Sequence, residues 1–314
     1  MNSINSKVNR KYLYLISHRL EFEELCAMEM KYIFGITSNS KYHLTDRLID
    51  VSRSPFIKGR VTILYYEPNI KIIEKKMIKD NLSYENYKIN FAKYDDVPYK
   101  IRLESMRTLG FTINGDFAIK DPDIEFILTR IDGIWIFGKL DSNPNKWLDR
   151  RKKPFNYSHA LDVKLAKAVV NIAINNDFNL SVIDPCCGIG TVLIEGRTAG
   201  VDITGYEINP LVKQHCNINL NHFGFEPNVE KIDMLKTIKH FDVAILDLPY
   251  GQSSIISKDE QIALIRKTKE ISDKSVIITM DDMSDIIQDI GLNIVDKCKV
   301  KKSNTFSRYV TVCV

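Results

Sequence analysis

Four carboxylates, each at the end of an apolar stretch, are the residues of this chain best placed to do chemistry. Val182-Ile183-Asp184-Pro185-Cys186-Cys187-Gly188-Ile189-Gly190 sets two glycines after an acid and just ahead of a helical pattern. Glycines there let the backbone turn tightly and approach a ligand at a helix mouth. An Asp before them suits a cationic or amine-bearing ligand and would repel a pyrophosphate. Gly205-Tyr206-Glu207 ends the next apolar stretch, and Glu207 lies 19 residues after Gly188. An acidic side chain at that distance can take a ribose diol. Asp233-Met234 follows Val229 to Ile232; its carboxylate can accept from an adenine amino group while Met234 packs on the ring.

The fourth feature bears on the acceptor. Phe241 to Leu248 is an apolar run that ends in Asp247-Leu248-Pro249-Tyr250. A carboxylate, a backbone carbonyl and an aromatic ring in succession form a clamp for a planar exocyclic amine. The Asp247 carboxylate and the Leu248 carbonyl can each accept one amine hydrogen, drawing nitrogen electron density outward as it attacks a methyl group. Tyr250 can stack on the base, worth about 1–3 kcal/mol per base. Pro249 holds Leu248 extended. The same clamp serves every exocyclic amine, so guanine N2, adenine N6 and cytosine N4 all remain open to it. A nicotinamide dehydrogenase is disfavoured, since no G-x-G-x-x-G occurs and Asp184 sits where phosphate would approach.

Alternating strands and helices must position these residues. Helix 161–174 precedes strand 181–185, then come a helix from Thr191, strand 203–208 and helix 210–221. Strands at 229–233 and 241–248, helix 260–271, strand 275–280 and a short helix near 283–290 follow. The tail, 293–301 and 309–314, reads as two antiparallel strands. This pattern predicts an α/β fold with a doubly wound, mostly parallel sheet and ligands at its carboxyl edge. Residues 1–145 read as a smaller α+β region with strands at 12–17, 61–66 and 88–92 and helices at 20–34, 70–79 and 98–109. Asp132-Gly133 between apolar runs signals a hairpin. Between the halves, Lys146, Arg150, Arg151, Lys152 and Lys153 fall in a stretch with Trp147, Pro154 and Phe155, read as a linker over 146–155 or as a phosphate-contacting strip.

Composition narrows the class. The 314 residues are 44% hydrophobic and 27% charged, with a formal net charge of +4. Residues 1–150 carry 24 Lys+Arg against 20 Asp+Glu, so the basic excess lies in the first half and hints at a polyanionic partner there. No apolar run approaches the roughly 20 residues of a membrane span, and no signal-peptide core is visible; a cytoplasmic protein is expected. The six cysteines form no C-x-x-C pair, so neither a disulfide framework nor a metal site is expected. Oligomeric state is open, with a monomer favoured.

Asp184-Pro-Cys-Cys-Gly-Ile-Gly-Thr191, Glu207, Asp233 and Asp247-Leu-Pro-Tyr250 resemble the amino-group methyltransferases of nucleic-acid bases. More narrowly, residues 150–251, with Lys153-Pro-Phe-Asn-Tyr-Ser-His-Ala-Leu-Asp162, resemble the THUMP-containing tRNA guanine-N2 methyltransferases. Leu20-Glu-Phe-Glu-Glu-Leu25 is similar to their opening ferredoxin-like helix, and Asp121-Pro-Asp123 with the Asp132-Gly133 hairpin to the end of a THUMP module. The resemblance implies a class I Rossmann-like methyltransferase domain over 156–314, with S-adenosylmethionine as cofactor. It implies a THUMP-like, RNA-binding region over 1–145 and a guanosine of tRNA as acceptor. Gly188, Gly190 and Thr191 would then lie near the methionine part, with Glu207 on the ribose and Asp233 on the adenine. Asp184 would order the loop or hold the methionine amine, and Cys186, Ile208, Met234 and Ser158 would complete the cofactor site. One departure stands out: the family's clamp is usually Asp-Pro-Pro-Tyr, and Leu248 replaces the first proline. The rival readings are a ribosomal-RNA guanine methyltransferase, a DNA adenine or cytosine methyltransferase, and an RNA-binding protein with a degenerate methyltransferase domain.

Overall fold

The computed structural model describes residues 11–36, 40–157, 160–249, 256–301 and 307–314. They divide into two units. Residues up to 17, 40–52 and 56–144 form the first; 18–39, 53–55 and 145–314 form the second. Helix α1 (Glu23–Phe34) therefore belongs to the second unit.

The first unit is a six-stranded sheet of β1 (Tyr12–Ile16), β2 (Tyr42–Thr45), β3 (Ile57–Glu67), β4 (Tyr87–Lys93), β5 (Ile124–Ile131) and β6 (Ile134–Ser142), in the order β2-β1-β3-β6-β5-β4. Only β4 and β5 run parallel; the other pairs are antiparallel. Asp132 and Gly133 both have positive φ, 49° and 80°, the geometry of a two-residue hairpin turn. Helices α2 (Ile70–Asp80) and α3 (Tyr99–Thr112) cover one sheet face. Ile73, Met77 and Leu109 pack there on Phe126, Leu128 and Phe137, while Ile127, Ile131 and Ile136 point to a second cluster on the opposite face. That division is the period of two expected of strands.

In the second unit, β7 (Val182–Asp184), β8 (Ile203–Gly205), β9 (Phe241–Asp247), β10 (Ser272–Thr279), β11 (Ile294–Lys301) and β12 (Ser307–Cys313) take the order β11-β12-β10-β9-β7-β8. The four strands β10, β9, β7 and the edge strand β8 run parallel, and β12 is antiparallel to β10 and β11. This is the doubly wound sheet with an antiparallel C-terminal hairpin that the sequence pattern predicts. Its helices are α4 (Val163–Ile174), α5 (Thr191–Thr198), α6 (Pro210–His222), α7 (Lys258–Ile271) and α8 (Ser284–Asp289). Ile265, Ile271 and Ile287 of α7 and α8 pack on Ala244, Leu246 and Ile277 of β9 and β10. A capping box of Ser257 and Glu260 starts α7. Helix α4 is buried at every position but Lys164, as its nearly continuous apolar sequence requires.

Three expectations need correction. The helix expected at 20–34 in the N-terminal region covers the second unit instead. Buried Glu29 accepts from Ser54 Oγ at 2.6 Å and from Asn171 of α4 at 2.5 Å, and Leu25, Met30 and Ile33 are buried beside it. Local periodicity shows a helix but not which sheet it covers. The basic stretch at 146–155 is not a solvated linker: Lys146–Arg151 is a 3-10 helix in which Trp147 and Arg150 are buried. The strand expected at Val229 to Asp233 shrinks to one bridge, Tyr206 to Glu230. Beyond it the Ile232 N–H turns back to the Glu230 carbonyl, and Asp233 caps the 3-10 turn Met234–Lys236.

Candidate active site

Strand β7 lies between β8 and β9, the place where the chain order reverses, so the loops after these three strands open toward a common edge. The loop after β7 is pinned to the loop after β8. Tyr206 N–H donates to the Asp184 carbonyl at 3.0 Å, and Cys187 N–H donates to the Tyr206 carbonyl at 2.9 Å. Gly188 and Gly190 have φ of 53° and 82°. At Gly190 a Cβ would also sit 2.5 Å from the Cys216 sulfur of α6, so two separate constraints exclude a side chain. Glu207 closes the loop from the other side. Its carboxylate accepts from Gly188 N–H at 3.1 Å and from Asn209 N–H at 2.8 Å. Beside it, Ile208 is 61% exposed.

Asp184 is almost fully buried. Burial, and then the neighbouring Asp247 carboxylate, hold its carboxyl well above the ordinary carboxylate range. Burial also raises Glu207, against the N–H groups it accepts from. Asp233 caps the turn at 234–236 by accepting from Leu235 N–H at 3.0 Å. Met234 is buried in the core, its sulfur 3.5 Å from that of Cys186. Its side chain is thus a core element and not an open platform for an adenine ring, a correction to its expected role.

At the end of β9, burial pushes the Asp247 carboxyl up to about 7, opposed by the Arg308 guanidinium. One oxygen each of Asp184 and Asp247 is buried with no hydrogen-bond partner among the described residues. The Leu248 side chain is buried, and its N–H donates to the Ile278 carbonyl at 3.0 Å. A proline could not make this bond. The backbone here is fixed through one more rung of the β9–β10 ladder. Pro249 is half-buried. Tyr250 and Ser158 lie outside the described residues.

The basic stretch splits in two. Arg150 makes a bidentate pair with Glu195 of α5 at 2.5 and 2.8 Å, both side chains buried. Lys153 is buried and donates to Thr191 Oγ1 at 2.9 Å, at the start of α5; burial lowers its pKa. These two turn inward and brace the glycine loop's helix, which corrects their reading as an RNA-contacting strip. Lys146, Arg151 and Lys152 are exposed.

Sequence reasoning missed several residues that shape the site. Asn219, fully buried in α6, accepts from Phe155 N–H at 2.9 Å and donates to the carbonyls of Phe155 at 2.9 Å and Ile189 at 3.0 Å. It thereby ties the 153–157 segment to the glycine loop. Phe155 stacks on His215 at 4.0 Å between ring centroids, and Tyr157 contacts the same imidazole. Arg308, in the last strand, sets the charge felt by Asp247. None of these carries a local signal, because each acts across at least 30 residues of sequence. Among the described residues no group of three or more His, Cys, Asp or Glu is arranged to hold a metal ion. No helix among them is long and apolar enough to cross a membrane.

The chain is similar in sequence to known methyltransferases. Residues 150–284 match the UPF0020 family, described as RMKL-like, methyltransferase domain. The chain is 27% identical to the tRNA (guanine(10)-N2)-dimethyltransferase of Methanothermobacter thermautotrophicus, over 74% of each chain. It is 33% identical to the enzyme of that name from Methanocaldococcus jannaschii, over 58% of this chain and 55% of the relative. Among solved structures, TrmN from Thermus thermophilus superposes with a TM-score of 0.49 at 12% identity, covering 96% of this chain and 98% of that one.

Proposed function

We propose, starting from the methyltransferase domain at residues 150–284, that the protein transfers a methyl group from S-adenosylmethionine to the exocyclic N2 amine of a guanosine in tRNA. The acceptor is the one for which the two archaeal relatives are named. One observation carries the reading. Asp184 and Asp247, on adjacent parallel strands, are pushed toward the protonated form and each keeps a buried oxygen without a partner among the described residues. Such a pair calls for a positively charged group and a hydrogen-bond donor to relieve it.

The residues present fit the cofactor, whose bound sulfonium supplies an electrophilic methyl group. Asp184 and the N-terminal turn of α5 would hold its methionine part, with Cys186, Gly188, Gly190 and Thr191 leaving room for close approach. Glu207 would accept from the ribose hydroxyls, Asp233 from the adenine amine, and the exposed Ile208 would cover the ring in place of the buried Met234. Ser158 stays assigned to the cofactor and Tyr250 to the base. At the acceptor, Asp247 and the Leu248 carbonyl would each accept one hydrogen of the guanine amine and so aim its lone pair. Asp247 must be ionised to do this. The protein's contribution is orientation and preorganised acceptors. Lys146, Arg151 and Lys152 are exposed cations for RNA, and the first unit is assigned a THUMP-like role in docking it.

The test is methylation of bulk tRNA by the wild type and by Asp247→Ala, with calorimetry of S-adenosylmethionine. Removing one such acceptor should lower kcat by about 10²–10³ while cofactor affinity stays within a few-fold. Full turnover in the variant would remove the clamp.

A further inference from the structure

A concave pocket of about 320 Å³ lies wholly within the second unit, lined by the start of α4, the 3-10 turn at 146–151 and the facing ends of β11 and β12. Its size is at the low end of the roughly 300–1,000 Å³ of small-molecule sites. Its charge is lopsided. Arg19, Arg151, Lys164, Lys301 and Arg308 line it against two acids, Glu21 and Asp162. Those acids already face Arg19 and Arg151, each at 3.7 Å.

The cations are held in place. The Trp147 ring lies 5.1 Å from the Arg151 guanidinium and 5.2 Å from the Lys164 ammonium, and Phe22 lies 5.4 Å from Lys164. Cation–π contacts of this kind fix a charge without neutralising it. Burial first, then the Arg151 charge, lower the pKa of Lys164 against the pull of Asp162 and Glu21, and an added anion would favour its charged form.

Position gives the pocket its meaning. Arg308 is buried at its wall and stands next to Tyr309, which pairs with Thr279 of β10. The preceding residue of β10, Ile278, pairs with Asp247. Arg308 thus lies two strands from the acceptor carboxylate along the same sheet edge, roughly 10 Å at ~4.8 Å per strand. One extended nucleotide covers that distance between its base edge and a flanking phosphate.

We infer that this pocket binds a backbone phosphate of the RNA strand beside the base that enters the Asp247 clamp. The inference rests on the reading of the acceptor as RNA. Arg151 offers a planar guanidinium fork suited to phosphate oxygens, and Lys164 adds a point charge beside it, while Arg308 at the wall stays with Asp247.

The test uses the full chain. Affinity for bulk tRNA is measured across a salt series for wild type, Arg151→Ala, Lys164→Ala and, as a control on the exposed middle of α7, Arg266→Ala. Calorimetry with S-adenosylmethionine accompanies each. The two pocket variants should bind tRNA about five- to tenfold more weakly. The slope of log affinity against log salt should shrink by about 0.7–0.9. Cofactor affinity should hold, and Arg266→Ala should match wild type. Unchanged tRNA affinity and slope in both pocket variants would overturn the inference. So would binding of inorganic phosphate that is lost in the variants while tRNA affinity is not, since the site would then serve a free anion. If wild type binds tRNA but methylates no guanine amine, the proposed acceptor fails, while the salt slopes still read the pocket.

Discussion

Gly190 shows how little freedom the glycine loop after β7 has. Its φ of 82° and the 2.5 Å approach of a Cβ to the Cys216 sulfur are independent obstacles to a side chain. Gly190→Ala should therefore weaken S-adenosylmethionine binding at least tenfold in calorimetry. Adding Cys216→Ala, which removes the clashing atom but not the backbone strain, should restore part of that loss. Wild-type affinity in Gly190→Ala alone would contradict the geometry. The acids were legible in the sequence because each follows an apolar strand: Asp184, Glu207 and Asp247 all lie at the expected edge. Asn219 and Arg308 were not, since an Asn in a helix and an Arg in a tail strand are ordinary until the fold brings them to Phe155 and Asp247. Leu248 is the instructive departure. Sequence showed only a leucine ahead of Pro249, whereas the structure shows its backbone N–H bonded to the Ile278 carbonyl.

At the scale of elements, periodicity located the helices and strands of the sheet and failed where tertiary contacts decide. The basic run at 146–155 has the composition of a solvated connector, yet Trp147 anchors it and Arg150 reaches Glu195 in α5. Removing Arg150 takes two hydrogen bonds from buried Glu195 and leaves it only Lys167 at 3.8 Å, so the cost approaches but does not exceed the about 3–5 kcal/mol of a fully unpaired buried charge. Arg150→Ala should lose stability of that order in urea unfolding, whereas Lys152→Ala, exposed, should stay within about 0.5 kcal/mol of wild type. Equal stability for the two variants would return Arg150 to the surface strip. Helix α1 belongs to the same lesson. Its apolar spacing and glycine stop were readable, but its place against α4 depends on Glu29 meeting Ser54 and Asn171, contacts that no local pattern encodes.

For the whole molecule, the alternation of strands and helices after residue 160 specified a doubly wound sheet, and the sheet order confirms it. The N-terminal half gave its hairpin and helices but not its six-stranded order, because strands such as β2 are short and half-buried. The proposal would divide labour between the two units, with chemistry in the second and RNA docking by the first and by the pocket's cations. Its central claim is the acceptor. The most direct measurement is nucleoside mass spectrometry of tRNA methylated in vitro by the full chain with S-adenosylmethionine. The account expects N2-methylated guanosine, in its mono- or dimethyl form, to accumulate with time. N6-methyladenosine or N4-methylcytidine in its place, with guanosine unmodified, would contradict it.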